Sequence, residues 1–256
     1  MGSITDINGI RLGHETDEKN HTGTTVLVFD RPMSCGVDVR GGAPGTRETD
    51  VFSPLNLVET ADAVVLSGGS AFGLDTASGV MKWLREQDRG MDTGYGKVPL
   101  VPGAVIFDLP TSSGGVRPDA DMGYRAAKKA VAGEVPMGNV GAGAGATVGK
   151  LYGMEYAVKS GVGTASVAGA GGVVAVPGRT HAGSQMVDDY EVCGRRCGQR
   201  RGTASLPGCG GLGCFRGLCP ASVGVEGAFE LVHVQGEDVY LSAVHVGSAR
   251  IGPLGR

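Results

Sequence analysis

The chain has 256 residues, of which 41% are hydrophobic, and its formal net charge is -3 at pH 7. This length accommodates one sizeable α/β domain or two small ones, and the slightly acidic balance argues against a nucleic-acid binder. Glycine is abundant, with 47 residues that follow no three-residue repeat, which indicates tight turns and close backbone packing.

The amino-terminal stretch MGSITDINGI contains no basic segment followed by an apolar one, so the sequence predicts no signal peptide. No run approaches the roughly 20 apolar residues that cross a bilayer, and no membrane contact is expected. We therefore expect a cytoplasmic protein whose cysteines are reduced.

Apolar runs alternate with helical patterns along the first half of the chain. Strands are predicted at 22–30, in the part of 61–75 that precedes Gly68 and Gly69, and at 103–110. Helices are predicted after Ser70, which is a candidate N-cap, and in 117–131 with Asp119 as cap. Apolar-run strands that alternate with helices indicate the α/β class.

Residues 36–50, GVDVRGGAPGTRETD, combine glycine, proline and charge. A solvated loop and a paired-charge rim around a pocket both explain this composition. The charged residues of such a rim would be Asp38, Arg40, Arg47, Glu48 and Asp50.

The segment LSGGSAFGLD places Gly68 and Gly69 before Ser70. It does not follow the G-x-S-x-G pattern of a nucleophile elbow, which favours a capping role for the Ser70 hydroxyl. Backbone N–H groups at such a helix start could also bind an anion or an oxyanion.

The segment GNVGAGAGATVGK, residues 138–150, has the look of a phosphate loop but lacks its spacing. Ala144 stands where the first glycine of a P-loop is required, and Leu151 follows Lys150 in place of serine or threonine. The dinucleotide fingerprint has Ala146 at its third position and no acidic residue about 20 positions later. Nucleotide binding is therefore disfavoured.

Five segments occur here in the same order as in one known family: ITDINGIRLGH, GVDVRGGAPGTRETD, VLSGGSAFGLD, GNVGAGAGATVGK and GVGTAS. From Ile4 to about Ser166 the chain resembles the DmpA-like L-aminopeptidase/D-esterases. That family includes β-aminopeptidases and, more distantly, nylon-oligomer hydrolases.

The resemblance implies a four-layer α/β/β/α sandwich and a hydrolase that cuts itself before a serine or threonine. The freed α-amine, whose pKa is about 7.7–8.0, then serves as base for the new nucleophile, and an asparagine supplies an oxyanion amide. Substrates would be peptides, amides or esters with a free amine, bound without cofactor or metal, and the enzyme would be a homo-oligomer. The predicted substrate-binding residues are Gly68, Gly69, Ser70, Asn139, Gly141 and Gly143.

The family pattern stops after residue 166. No asparagine follows Asn139, so neither the oxyanion asparagine nor an Asn-Thr-Thr cleavage site is present. Reading the codons of residues 193–202 one base later can yield V-A-V-V-A-V-N-A-V-G, with asparagine at the codon of Gln199. The sequence therefore predicts an aminopeptidase front in 1–166 and a divergent, out-of-frame or disordered tail in 167–256, which would leave the chain inactive.

Five of the six cysteines lie in 191–219, and they leave other functions open. Their spacing, such as three residues between Cys193 and Cys197, permits a structural zinc site in a non-catalytic binding protein. A basic nucleic-acid patch is less favoured because no aromatic residues interleave with its arginines. An acyltransferase of related fold is a third alternative.

Overall fold

The computed structural model describes residues 2–41, 43–112, 115–148, 154–169, 172–178, 227–235 and 238–246. Side chains are described for 2–39, 43–112, 115–148 and 155–166. The segment of the five cysteines, including Gln199, lies outside the described residues, and so does the side chain of Arg40.

The described chain contains two α-helices and thirteen strands. The helices are α1 (Thr76–Glu86) and α2 (Ala120–Lys128). The strands are β1 (Ile10–Asp17), β2 (Thr22–Gly41), β3 (Thr46–Arg47), β4 (Thr60–Ser67), β5 (Met91–Asp92), β6 (Lys97–Val98), β7 (Gly103–Val105), β8 (Thr147–Val148), β9 (Val158–Lys159), β10 (Gly163–Gly169), β11 (Gly172–Gly178), β12 (Gly227–Gln235) and β13 (Asp238–Val246). Short 3-10 helices span Ile4–Asp6, Asp50–Phe52, Ser70–Asp75, Gly141–Gly143 and Met154–Tyr156.

Nine strands form the main sheet, in the order β10-β11-β12-β13-β2-β4-β7-β3, with β1 paired to β2. The β13–β2 and β4–β7 pairs are parallel, and the other pairs are antiparallel. Strand β2 has two halves, because β1 pairs with residues 22–29 and β13 pairs with residues 34–41. A register shift between Val28 and Met33 separates the halves.

Both faces of β2 are buried over residues 22–29, which explains the apolar run at 26–29. Val26 and Val28 pack with α1 and α2, whereas Leu27 and Phe29 belong to the core on the opposite face. The predicted strand at 22–30 is confirmed, and the apolar stretch within 61–75 forms β4. Only the first three residues of the strand predicted at 103–110 are extended.

Helix α2 begins where the sequence predicts. The Asp119 carboxylate accepts the Met122 N–H at 2.8 Å, and four apolar residues of this segment are buried: Met122, Ala126, Ala127 and Ala130. The helix lies directly against β1, since a Cβ at Gly13 would approach the Ala126 carbonyl oxygen to 2.1 Å.

The predicted start of the first helix is wrong. Ser70 does not cap an α-helix, because α1 begins at Thr76 and a 3-10 helix fills the interval. Gly69 adopts a left-handed conformation with a φ of 83°, and Ser70 follows with a φ of 54°. Two successive left-handed residues are incompatible with the extended backbone of an N-cap serine.

The α/β class is confirmed. Of the predicted layers, the described residues contain the α1–α2 layer and the sheet beneath it. Beyond residue 166, strands β11, β12 and β13 pair with the rest of the sheet. A boundary at residue 166 and a disordered tail stay predictions. The out-of-frame origin of this part remains a prediction.

Candidate functional site

The turn of residues 68–70, which follows β4, has its backbone donors engaged within the protein. The N–H of Gly68 donates to the Gly23 carbonyl oxygen at 2.8 Å, and that of Ser70 donates to the Ile106 carbonyl oxygen at 2.9 Å. The N–H of Gly69 donates to an oxygen of the Asp108 carboxylate at 2.6 Å. The turn therefore offers no free N–H group for an anion, and the structure gives no support to an oxyanion site there.

Asp108 is the centre of this region. Its side chain is 1% exposed, and its second carboxylate oxygen accepts the Thr22 hydroxyl at 2.8 Å. Its backbone carbonyl oxygen accepts the Thr111 hydroxyl, which lies 2.8 Å away. Sequence reasoning missed Asp108, although an acidic residue within the apolar run predicted as a buried strand at 103–110 was a usable signal.

The Ser70 side chain is the polar group that the turn still presents. It is partly exposed, and its hydroxyl has no hydrogen-bond partner among the described side chains and backbone. A left-handed φ is uncommon for a residue other than glycine, and such strain concentrates at functional sites. Two exposed aromatic residues lie close to Ser70. Phe72 is two residues later in the chain, and Phe107 follows Ile106, whose carbonyl oxygen accepts the Ser70 N–H. Phe72 and Phe107 are 65% and 54% exposed.

Residues 138–146, here called the glycine loop, have six of their nine N–H groups bonded within the protein. Gly141 donates to the Thr16 hydroxyl at 2.7 Å, and Ala142 donates to the Thr25 hydroxyl at 3.0 Å. Gly143 donates to the Val140 carbonyl oxygen at 2.9 Å. This arrangement is a closely packed corner and does not form the open cradle of N–H groups that phosphate loops need.

Lys159 supports the other side of the glycine loop. Its ammonium group donates to the carbonyl oxygens of Gly143 and Ala146, at 3.0 and 3.3 Å. Asn139, by contrast, is exposed on the surface. Asn139 is therefore the polar side chain through which this loop could contact a ligand.

His14 lies under the glycine loop. One ring nitrogen, Nε2, is 3.1 Å from the Pro136 carbonyl oxygen, and the other, Nδ1, is 2.9 Å from the Thr25 hydroxyl. Burial lowers the pKa of His14 from its ordinary 6.5 to about 4, although the hydrogen bond to the Pro136 carbonyl raises it. The ring is therefore neutral at pH 7.

Asp108 brings together the two glycine segments that the sequence analysis singled out. A Cβ at Gly68 would lie 2.2 Å from the carboxylate oxygen Oδ2, and one at Gly145 would lie 2.5 Å from the same atom. The Thr111 hydroxyl oxygen also lies 2.9 Å from the Gly145 carbonyl oxygen, so its single hydrogen is shared between the carbonyl oxygens of Asp108 and Gly145. The 68–70 turn and the glycine loop thus meet around one buried carboxylate.

The charged loop after β2 does not form the predicted paired rim at Arg47. The guanidinium of Arg47 donates to the Ser78 hydroxyl of α1 at 2.8 Å and to the Leu74 carbonyl oxygen at 3.3 Å. Glu48 and Asp50 are exposed. Arg47 therefore fixes β3 to the first helix.

The described ranges contain neither a metal-binding cluster nor a membrane-spanning helix. Within the described ranges, no three His, Cys, Asp or Glu side chains converge to hold a metal ion. In the same part of the chain, neither helix has the length and apolar character needed to cross a bilayer.

Two curated proteins illustrate the sequence similarity. The chain is 48% identical over 197 residues to an uncharacterized aminopeptidase of Mycobacterium tuberculosis (strain ATCC 25618 / H37Rv), covering 73% of this chain and 55% of that protein. It is 36% identical over 146 residues to a 6-aminohexanoate-oligomer endohydrolase of Paenarthrobacter ureafaciens, covering 57% of this chain and 39% of that protein. The chain thus spans about half the length of the mycobacterial relative and less of the other.

Solved structures share the fold at low sequence identity. A β-aminopeptidase of Burkholderia sp. matches with a TM-score of 0.50 and 23% identity, over 71% of this chain and 52% of that one. The L-aminopeptidase D-Ala-esterase/amidase of Ochrobactrum anthropi, described as a variant of the Ntn-hydrolase fold, matches with a TM-score of 0.53 and 12% identity. That match covers 100% of this chain and 78% of the other. The expected fold is confirmed.

A protein-family model covers most of the chain. The model for peptidase family S58 matches residues 2–212, which extends beyond Ser166, where the quoted motifs end. This match agrees with the five motifs and with the two relatives. The chain belongs to peptidase family S58, the DmpA family of aminopeptidases.

Proposed function

We propose that this chain derives from a hydrolase that removes N-terminal residues from peptides, amides or esters. The observation that carries the proposal is the family match over residues 2–212. The 48% identity to a protein named as an aminopeptidase supports it. The chain spans about half of that relative. The activity and the substrates are therefore proposals about the whole enzyme.

In this proposal the 68–70 turn and the glycine loop form one wall of the substrate site. The Ser70 hydroxyl and the exposed Asn139 side chain supply its polar contacts, and Asp108 holds the wall rigid through Gly69 and Thr22. Gly141 and Gly143 contribute close packing of the loop, since their N–H groups are already bonded.

The nucleophile would be a serine or threonine freed by self-cleavage. Its α-amine, with a pKa of about 7.7–8.0, accepts the hydroxyl proton during attack on the scissile carbonyl and later returns a proton to the leaving amine. We propose that the 256-residue chain lacks this segment, because no asparagine follows Asn139 and no Asn-Thr-Thr site is present. Gln199 stands where the oxyanion asparagine would be.

The test compares two proteins. The first is the chain as it stands, which we expect to run as one band on a denaturing gel and to leave aminoacyl anilides intact. The second is expressed from a gene in which one base restores the frame ahead of codon 193. It should split into two fragments and release the anilide.

The two parts of the proposal fail separately. Self-cleavage or hydrolysis by the unaltered chain would contradict its inactivity. A frame-restored protein that folds and cleaves itself but acts on no aminoacyl peptide, amide or ester would contradict the aminopeptidase function.

We also propose a cytoplasmic homo-oligomer. Leu55 and Leu57, in the loop before β4, are 95% and 100% exposed, and burial of such residues against a second copy would remove apolar surface from water. The homo-oligomer is expected of the intact enzyme, so light scattering of the frame-restored protein tests it, and a monomer at micromolar concentration would contradict it.

A further inference from the structure

His14 connects β1, β2 and the glycine loop through a chain of hydrogen bonds. It lies opposite Thr25 in the β1–β2 pairing, and its Nδ1 is 2.9 Å from the Thr25 hydroxyl oxygen. The same hydroxyl oxygen accepts the Ala142 N–H at 3.0 Å. A Cβ on Gly141 would approach His14 Nδ1 to 2.5 Å, so the loop rests directly on the ring.

The partners determine which ring nitrogen carries the proton. A carbonyl oxygen can only accept, so Nε2, which is 3.1 Å from that of Pro136, carries hydrogen. In the neutral ring Nδ1 is then an acceptor and receives the Thr25 hydroxyl hydrogen. The hydrogen bonds therefore form one donor-to-acceptor sequence: the Ala142 N–H donates to the Thr25 oxygen, the Thr25 hydroxyl donates to His14 Nδ1, and His14 Nε2 donates to the Pro136 carbonyl oxygen.

Protonation of His14 breaks this sequence. With hydrogen on both nitrogens, Nδ1 must donate to the Thr25 oxygen, and the Thr25 hydroxyl hydrogen has to turn away. Thr25 is completely buried, and the described residues offer that hydrogen no other acceptor. A buried unsatisfied donor is costly, so the charged ring disfavours this arrangement.

No charged group on the described neighbouring elements offsets the cost of protonating His14. On β1, Glu15 faces the opposite side of the strand, where Arg125 of α2 and Lys129, directly after that helix, bind it. The Asp17 carboxylate accepts from Asn20, at the far end of β1. On the loop side, Glu134 is exposed and Lys159 binds the glycine-loop carbonyls. The direct partners of His14, Thr25 and Pro136, are uncharged.

We propose that His14 is a pH-sensitive anchor of the glycine loop: the neutral imidazole holds the loop on the sheet through Thr25 and Ala142, and protonation in mildly acidic conditions releases this attachment. The consequence for a substrate site rests on the proposed function, because Asn139 lies on the same loop. The anchor itself does not depend on catalysis. The hydrogen bonds of Gly141 to Thr16 and of Lys159 to Gly143 remain in both states.

Amide hydrogen exchange of the full chain, followed by NMR, tests the anchor without any substrate. With a pKa of about 4 in the anchored state and 6.5 when the ring is free, linkage requires the protection factor of the Ala142 N–H to fall at least about tenfold between pH 7.5 and pH 5. The Gly141 N–H, bonded to Thr16, should keep its protection factor and serves as internal control.

A His14→Asn variant is the matched control, since the asparagine oxygen can accept from Thr25 but does not titrate. In this variant the Ala142 protection factor should be independent of pH over the same range. Unchanged protection in the wild type, or the same fall in the variant, would overturn the proposal. If the variant does not fold, titration of the His14 ring resonance decides, and a midpoint near 6.5 overturns it as well.

The failure of the proposed function is distinguishable from the failure of the anchor. A chain without hydrolytic activity can still show the fall in Ala142 protection, and an active frame-restored enzyme can lack it.

Discussion

The Asp108 carboxylate fills the space that a side chain at residue 68 would need. Its oxygen Oδ2 lies 2.2 Å from the position of a Cβ on Gly68, and a Cβ there would also approach the Thr22 hydroxyl to 2.6 Å. The tight fit is possible because Gly68 has no side chain, and it lets β2, β4 and the segment after β7 converge on one buried group.

Replacement of Gly68 by alanine should therefore lower the free energy of unfolding by about 2–4 kcal/mol, because two buried polar groups must shift. Urea unfolding followed by Trp83 fluorescence measures the loss. Gly94→Ala is the control, since Gly94 has a φ of 78° and nothing within 4 Å of a new Cβ. That variant should lose only about 1 kcal/mol from backbone strain. Equal losses would contradict the role of Asp108.

Truncation of Asp108 to alanine should cost about 2–4 kcal/mol, because it leaves the buried Gly69 N–H and the Thr22 hydroxyl without an acceptor. Thermal unfolding by circular dichroism provides the measurement. Asp92→Ala removes an exposed carboxylate that accepts the Gly94 N–H, so it should change stability by less than about 1 kcal/mol. Similar melting temperatures for the two variants would argue against a central role of Asp108.

The unfolding free energy should depend on pH through His14. Burial holds the pKa of His14 near 4 in the folded chain, so the unfolded chain, with a pKa near 6.5, binds the proton first. Stability from this group is complete above pH 6.5 and is lost as the pH falls towards 4, with a loss of about 2 kcal/mol at pH 5. The difference between wild type and His14→Asn in urea unfolding at pH 7.5 and pH 5 isolates the effect. A constant difference at the two pH values would contradict it.

Glu15 contributes to the pH dependence of stability at lower pH than His14 does. Burial alone would raise the pKa of its carboxyl, but hydrogen bonds from Lys129 and Arg125 outweigh burial and lower it from 4.5. Its contribution is present above pH 4.5 and is lost as the pH falls below that value. Measurements at pH 5 and above therefore report on His14 with little interference from Glu15.

Cys35 should be inert towards alkylation in the folded protein. Burial raises the pKa of its thiol to about 12, so the reactive thiolate is scarce at pH 8. Iodoacetamide treatment at pH 8, followed by peptide mass analysis, should leave the Cys35 peptide unlabelled. The same peptide should be labelled in 8 M urea, and equal labelling in both conditions would show that the thiol is accessible.

Local pattern was sufficient to predict much of the fold. Residues 63–66 of β4 and 26–29 of β2 are apolar on both faces, and α2 combines an Asp119 cap with a regular inward face, so each is recognisable from its own residues. The start of α1 was misplaced because Gly69 and Ser70 are held in left-handed conformations by Asp108 and Ile106, which are distant in the sequence.

The candidate site was only partly predictable for the same reason. The glycines of 138–146 were recognisable as unusual, but their partners Thr16 and Thr25 lie 125 and 117 residues away from the amides they bind. No local spacing reveals such partners. The family motifs contain the two segments that meet around Asp108, and the hydrogen bonds show that the N–H groups of Gly69, Gly141 and Ala142 are bonded within the protein. Their role in substrate binding stays a prediction.

The two halves of β2 acquire their partners at different times during synthesis. Residues 22–29 pair with β1, which is adjacent in the chain, while residues 34–41 receive a parallel partner from β13, about 200 residues later. At elongation rates of about 5–20 residues per second, residues 34–41 lack their β13 partner for ten seconds or more. During that interval its unpaired edge can accept a strand from another nascent chain, so production of this protein should depend on chaperones that cover exposed strands.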